Sequence, residues 1–133
     1  MTEARELPIA ANGDVVLVRQ HVRNTAIDVG LSLVDQTKVV TAASELARNA
    51  LVYAGGGWAR VEVVTKGARK GLRLTFGDEG PGIPDLDLAL TEGWSTGRGM
   101  GLGLTGSRRL MDEFDLTSTP GVGTVVTVTK WAR

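Results

Sequence analysis

The apolar positions of the first third of the chain recur every three or four residues. Val15, Val18, Val22, Ala26 and Val29 fall on one helical stripe, with Asn12 or Asp14 placed to cap its start and Gly30 to end it. Val39, Ala42, Ala43, Leu46, Ala50 and Tyr53 form a second stripe. They predict a helix from about Asp35 to Ala54, stopped by Gly55-Gly56-Gly57. The period then changes to two. Val61 and Val63 alternate with Arg60 and Glu62, which predicts a strand from Trp58 to Val64. Leu72, Leu74 and Phe76 alternate with Arg73 and Thr75 in a second strand, and the basic, glycine-bearing turn from Lys66 to Gly71 makes the two a hairpin. Leu7 and Ile9 fit a short edge strand. Asp85 to Leu90 suggests a helical turn, and Leu104, Leu110, Met111 and Phe114 suggest a third helix. Leu116 opens a strand, Pro120 to Gly123 is a tight turn, and Val126 and Val128 mark the last strand.

Helices, two strands, a long loop, a helix and two strands predict an α+β fold. The expected architecture is a two-layer α/β sandwich built on antiparallel hairpins, not a doubly wound parallel sheet. A length of 133 residues suits a single domain over 1–133, long enough to bury most of the surface its unfolded chain exposes. A hydrophobic share of 42% without a long apolar run points to a soluble globular chain. Fifteen basic residues balance fifteen acidic ones, which removes the electrostatic reason to expect nucleic acid or an anionic membrane as partner. Without cysteine there is neither a disulfide framework nor a thiolate metal site. Charges between Met1 and Ala10 occupy the place of a signal peptide's apolar core, so the expected location is cytoplasmic.

Four segments carry candidate chemistry. Glu45 and Asn49 are four residues apart on the second helix, hence one turn apart on one face. A carboxylate there can take a proton from an attacking hydroxyl or water, and an amide oxygen one turn away can hold Mg²⁺. Asp78 ends an apolar strand, where its carboxylate can accept from an adenine amino group. Gly80 and Gly82 let the backbone pass close to a flat base, and Pro81 and Pro84 stiffen that turn. Gly97, Gly99, Gly101 and Gly103 alternate with Arg98, Met100 and Leu102. Such a loop offers bare N–H groups to phosphate oxygens, with Arg98 adding charge. Gly121-Val122-Gly123-Thr124 is a hairpin turn that can bring the Thr124 hydroxyl beside the base. Taken singly, these are a polar helix face, a turn, a linker and a hairpin. One nucleotide pocket needs all four in this order. His21 is the sole histidine, without a ligand or nucleophile neighbour, and is a packing or surface residue. Trp58 and Trp94 fit either a partner surface or core and hairpin packing.

The order Glu-x-x-x-Asn, Asp-x-Gly-x-Gly, a Gly-x-Gly-x-Gly lid and Gly-x-Gly-Thr resembles the Bergerat-fold ATPases, which include gyrase, Hsp90, histidine kinases and MutL. Within them, four strings resemble the switch serine/threonine kinases of bacterial partner-switching pathways and the stressosome. They are Ser44 to Asn49, Asp78 to Pro84, Arg109 to Phe114 and the ending Lys130-Trp131-Ala132-Arg133. The likeness spans nearly the whole chain. The chain departs from the stressosome-kinase pattern at Arg98 and Met100.

The resemblance implies a histidine-kinase-like ATPase fold with a mixed, mostly antiparallel sheet. It implies a cytoplasmic protein serine/threonine kinase using Mg-ATP, with STAS-domain stressosome proteins as substrates and a PP2C-type phosphatase as the partner activated on release. Residue by residue, Glu45 matches the catalytic base, Asn49 the Mg²⁺ ligand and Asp78 the adenine-binding carboxylate. Gly80 and Gly82 match the base-side loop, Gly99, Gly101 and Gly103 the lid, and Thr124 the threonine behind the base. An anti-sigma factor kinase of the same fold, a non-catalytic nucleotide-binding module that docks to a phosphatase, and a free-standing hydrolase stand as alternatives. A histidine-kinase catalytic domain fits less well, because the chain is too short for a separate phosphoacceptor helix pair.

Overall fold

A computed structural model describes residues 4–80, 106–119 and 121–133. The elements in chain order are β1 (Ala4–Ile9), α1 (Asn12–Asp28), α2 (Leu33–Ala54), β2 (Gly57–Lys66), β3 (Arg69–Asp78), β4 (Glu113–Thr119) and β5 (Gly123–Trp131). Their strands form one sheet in the order β1-β2-β3-β5-β4, and every pairing is antiparallel. Both helices lie on one face of it. Leu7, Ile9, Ala59, Val61, Leu72, Leu74, Phe76, Val126 and Val128 meet Val18, Val22, Ala26, Val39, Ala43, Leu46 and Ala50 of the helices in a single core cluster. Each fully buried Val or Leu there contributes about 1.5–3 kcal/mol over an exposed one. The opposite face carries the alternating polar set, among them Arg60, Glu62, Arg73, Thr75 and Asp115. This is the two-layer α+β arrangement that the periodicities predict.

Several boundaries differ from expectation, each for a local reason. The first helix is preceded by Ala11, and Asp14 acts from inside the first turn, its Oδ2 accepting from the N–H groups of Ala10 at 2.8 Å and Ala11 at 3.1 Å. The second helix begins at Leu33, two residues early, because the Ser32 hydroxyl accepts from the Asp35 N–H. It ends where Gly55 takes φ +75, a conformation costly for any side chain. The expected third helix through Phe114 is shorter. Residues 106–110 are helical, but Phe114 lies in β4, which opens at Glu113 instead of Leu116. Phe114 and Leu116 alternate with Glu113, Asp115 and Thr117, so a period of two overrides the helical reading of Leu110, Met111 and Phe114. Leu104, the turn from Asp85 to Leu90, Pro81, Pro84, Trp94 and the side chain of Tyr53 lie outside the described residues. Trp58 packs its ring against Gly77 across the β2–β3 ladder, so it serves the hairpin.

Two of the strings that carried the family resemblance meet at the end of β5. Lys130 is 5% exposed, and its ammonium donates to Leu110 O at 3.1 Å and Asp112 Oδ1 at 3.3 Å, with Asp35 Oδ1 at 3.8 Å. Asp112 also accepts from the Trp131 N–H and from Arg133, each at 2.9 Å. Desolvation pushes the Asp112 carboxyl upward, but the Trp131 N–H, Lys130 and Arg133 together outweigh it, and its pKa falls below the ordinary value. The knot ties β5, the end of the 106–110 helix and the first turn of α2 together.

Candidate nucleotide site

The site lies at the far end of β3 from that knot, on the helix-facing side. Asp78 is the last residue of β3 and stands opposite Thr124 of β5, which in turn stands opposite Ser118 of β4. All three share the parity of core residues Phe76, Val126 and Leu116, so their side chains point toward the helix layer. The Thr124 and Ser118 hydroxyls are 3.1 Å apart. Oδ1 of Asp78 accepts from the Gly80 N–H at 2.9 Å, which fixes the carboxylate and leaves Oδ2 without a partner among the described residues. An anionic oxygen aimed this way is an acceptor for an amino group.

Glycines close around Asp78 because side chains would not fit. A Cβ on Gly80 would come within 2.5 Å of the Ala54 Cβ, so this turn lies directly against the end of α2. A Cβ on Gly123, at φ +153, would collide with the Asp78 carbonyl oxygen, and one on Gly57 with that of Gly77.

From Ala54, α2 runs back to Asn49 and Glu45, about 8 and 14 Å along its axis. Glu45 is 41% exposed on its side chain and faces Arg48 at 3.8 Å. An exposed pair of that length contributes little to stability, so the carboxylate is open to an incoming group. Asn49 is half-buried, and its Nδ2 is buried with no hydrogen-bond partner among the described residues. A buried N–H₂ without a partner among the described residues is a rarity and fits a position that donates to a ligand. His, Cys, Asp and Glu make no cluster of three that could hold a metal among the described residues. An amide-held, largely hydrated Mg²⁺ needs none.

The structure therefore brings Asp78, Gly80 and Thr124 together and sets Glu45 and Asn49 on one helix that ends beside them. Gly82, Arg98, Gly99, Gly101 and Gly103 lie outside the described residues. Sequence reasoning missed Ser118, Gly57 and Ala54. Ser118 could have been found: a hairpin turning at Gly121 pairs it with Thr124. Gly57 and Ala54 carry no signal beyond small size. His21 stands apart on α1, half-buried, its pKa lowered by burial and then by Arg5.

A Glu/Asn helix face over a sheet end bearing Asp78 and Thr124 matches an ATPase family across most of the chain. The family of histidine kinase-, DNA gyrase B- and HSP90-like ATPases matches residues 34–133. The chain belongs to this family. Within this ATPase family it is similar to the serine/threonine-protein kinase RsbT of Bacillus subtilis (strain 168), with 46% identity over 125 residues and 94% of each chain covered. It is also similar to the anti-sigma F factor of Thermoanaerobacter sp. (strain X514), with 33% identity over 70% of this chain and 68% of the relative. Two solved structures share the fold. One, holding the RsbU and RsbW domains of a Mycobacterium tuberculosis protein, superposes with a TM-score of 0.67 at 19% identity, over 100% of this chain and 33% of that one. The other, the SiaB–SiaC complex of Pseudomonas aeruginosa, gives 0.56 at 13% identity, over 97% and 89%. The chain is thus an RsbT-like, ATP-using protein serine/threonine kinase. No helix among the described residues is long and apolar enough to cross a membrane.

Proposed function

We propose that residues 1–133 act as one ATP-binding kinase domain in the cytoplasm. It transfers the γ-phosphoryl group of ATP to a serine or threonine of STAS-domain stressosome proteins. When released from them, it binds and activates a PP2C-type phosphatase in a partner-switching stress pathway. The observation that carries the reading is the α2 face, where an open Glu45 carboxylate stands one turn from Asn49, whose buried Nδ2 has no partner among the described residues.

Asp78 Oδ2 accepts from the adenine amino group while the Gly80 N–H holds Oδ1. Thr124, backed by the Ser118 hydroxyl, lies beside the same base. Asn49 would hold Mg²⁺ through its carboxamide oxygen, where the ion neutralises phosphate charge. By the family resemblance, Gly82 would serve the base side of the site. By the same resemblance, Gly99, Gly101 and Gly103 would offer backbone N–H groups to the phosphates, and Arg98 would add charge. Glu45 orients the partner's hydroxyl and takes its proton as the new O–P bond forms and the bond to ADP breaks. The proton then passes from Glu45 to solvent. Positioning and electrostatics supply most of the acceleration in such transfers.

Glu45→Ala should keep ATP binding and lose transfer of γ-³²P to a STAS partner, whereas Asn49→Ala should weaken Mg²⁺-dependent ATP binding. Unchanged phosphorylation by the Glu45 variant would sink the assignment of the base. The likeness to the anti-sigma F factor favours a second reading, in which the partner is a sigma factor. Co-purification with a sigma factor in place of a phosphatase would decide for it. A docking module without catalysis would bind the phosphatase and transfer nothing in the same assay.

A further inference from the structure

The basic turn noted in the sequence takes no part in the site above. Gly67 and Ala68 join β2 to β3, and the register sets Lys66 opposite Arg69 and Thr65 opposite Lys70. Lys66, Arg69 and Lys70 are all exposed. Like charges directly opposite in an antiparallel pair destabilise it. Among the described residues no carboxylate forms an ion pair with any of the three. Arg60 pairs with Glu62, and Lys130 and Arg133 with Asp112. In a chain whose charges balance overall, this is a local excess of positive charge that no ion pair among the described residues neutralises.

The backbone beneath these charges is fixed. The Arg69 guanidinium sits 5.7 Å from the centre of the Trp131 ring. That ring rests on Gly71, and its Nε1 donates to Glu113 Oε2 at 2.6 Å. The Ala132 N–H donates to Lys70 O at 2.8 Å, carrying the β3–β5 pairing past the strand end. A firm platform thus presents ammonium groups that have no ion-pair partner among the described residues. It stands at the opposite end of β3 from Asp78, about 30 Å away along the strand.

We propose that this hairpin tip docks a short acidic segment of a partner protein, independently of the nucleotide site. Three cations match a few carboxylates in one turn or loop. A continuous polyanion such as duplex nucleic acid or an anionic lipid surface fits worse, because Asp112 and Glu113 flank the platform and the chain has no net positive charge to attract it. Site occupation would leave Glu45, Asn49 and Asp78 untouched, so one partner could be held while another is phosphorylated. The docking itself, as distinct from that simultaneity, does not depend on the phosphotransfer reading.

The test is fluorescence anisotropy of a labelled octaglutamate peptide with the full chain, with ATP binding measured on the same samples. The wild type should bind the peptide, and added salt should weaken binding. K66E/K70E should weaken it by roughly tenfold or more, and K66Q/K70Q by less, with ATP binding unchanged in both. Equal peptide binding by wild type and K66E/K70E would overturn the proposal. So would binding of duplex DNA or phosphatidylserine vesicles by the wild type as tightly as the peptide.

Discussion

Replacing Lys130 by Met probes the knot at the end of β5. The substitution keeps most of the aliphatic stem and removes only the ammonium. Lost with it are the 3.1 Å bond to Leu110 O, the 3.3 Å pair with Asp112 and the 3.8 Å contact with Asp35. Breaking a fully buried pair costs about 3–5 kcal/mol, because a charge is left stranded. Here the stranded groups are less isolated. The Asp112 and Asp35 side chains are 20% and 14% exposed, and Asp112 keeps the Trp131 N–H and Arg133. The expected loss is therefore about 2–3 kcal/mol, or roughly 6–15 °C in Tm for a chain of this length. Thermal and urea melts followed by circular dichroism measure it. The pH dependence gives a second reading. Asp112 has its pKa lowered in the folded state, so its contribution is present above the ordinary value of 3.8 and is lost as pH falls through the folded value. Lys130 supplies part of that lowering, so the stability gap between wild type and variant should shrink between neutral pH and pH values below 3.8. A variant melting with the wild type at neutral pH, or a gap that widens on acidification, would refute the reasoning.

Two further substitutions test the pocket. Asp78→Asn keeps the Oδ1 contact with Gly80 but turns an N–H₂ toward the adenine amino group. Loss of a charged acceptor costs about 1.5–3 kcal/mol, so ATP affinity by calorimetry should fall roughly 10–100-fold and the preference over GTP should narrow; unaltered affinity would remove Asp78 from the base site. Gly123→Ala places a methyl group against the Asp78 carbonyl at φ +153, a strain of about 1–3 kcal/mol. It should lower both Tm and ATP affinity, and a variant unchanged in both would show that this close approach is not needed.

How much was legible before the structure follows the strength of each pattern. The two long stripes and the β2–β3 alternation were read nearly to their ends, because burial on one face imposes a clean period. The segment around Phe114 was misread because Leu110, Met111 and Phe114 satisfy a helical spacing while Phe114 and Leu116 satisfy a strand's, and only the β5 partner decides. Asp78 and Thr124 were each placed by motif, but their adjacency depends on β3–β5 pairing, which no local signal encodes. The Lys130 knot was invisible for the same reason, since its oxygens come from two separate places in the chain, Asp35 and the Leu110–Asp112 segment. The unpaired cations of the hairpin tip were visible as composition, and only the register showed that they face each other.

The sheet order also has a kinetic meaning. β2–β3 closes through a two-residue turn and β4–β5 through a short one, so both hairpins form from local contacts. Their union through β3 and β5 instead pairs residues separated by about 45–60 positions, from Asp78 with Thr124 to Gly71 with Trp131. By loop-closure entropy that union costs more than either hairpin, as does the pairing of β1 with β2 across the two helices, from Ile9 with Gly57 to Ala4 with Glu62. Asp78 comes from one hairpin, Thr124 and Ser118 from the other, so the proposed base pocket is a seam that exists only once the halves have joined. A nucleotide bound across it would favour the joined state by mass action, so its binding would report on the union of the two hairpins and not on either alone.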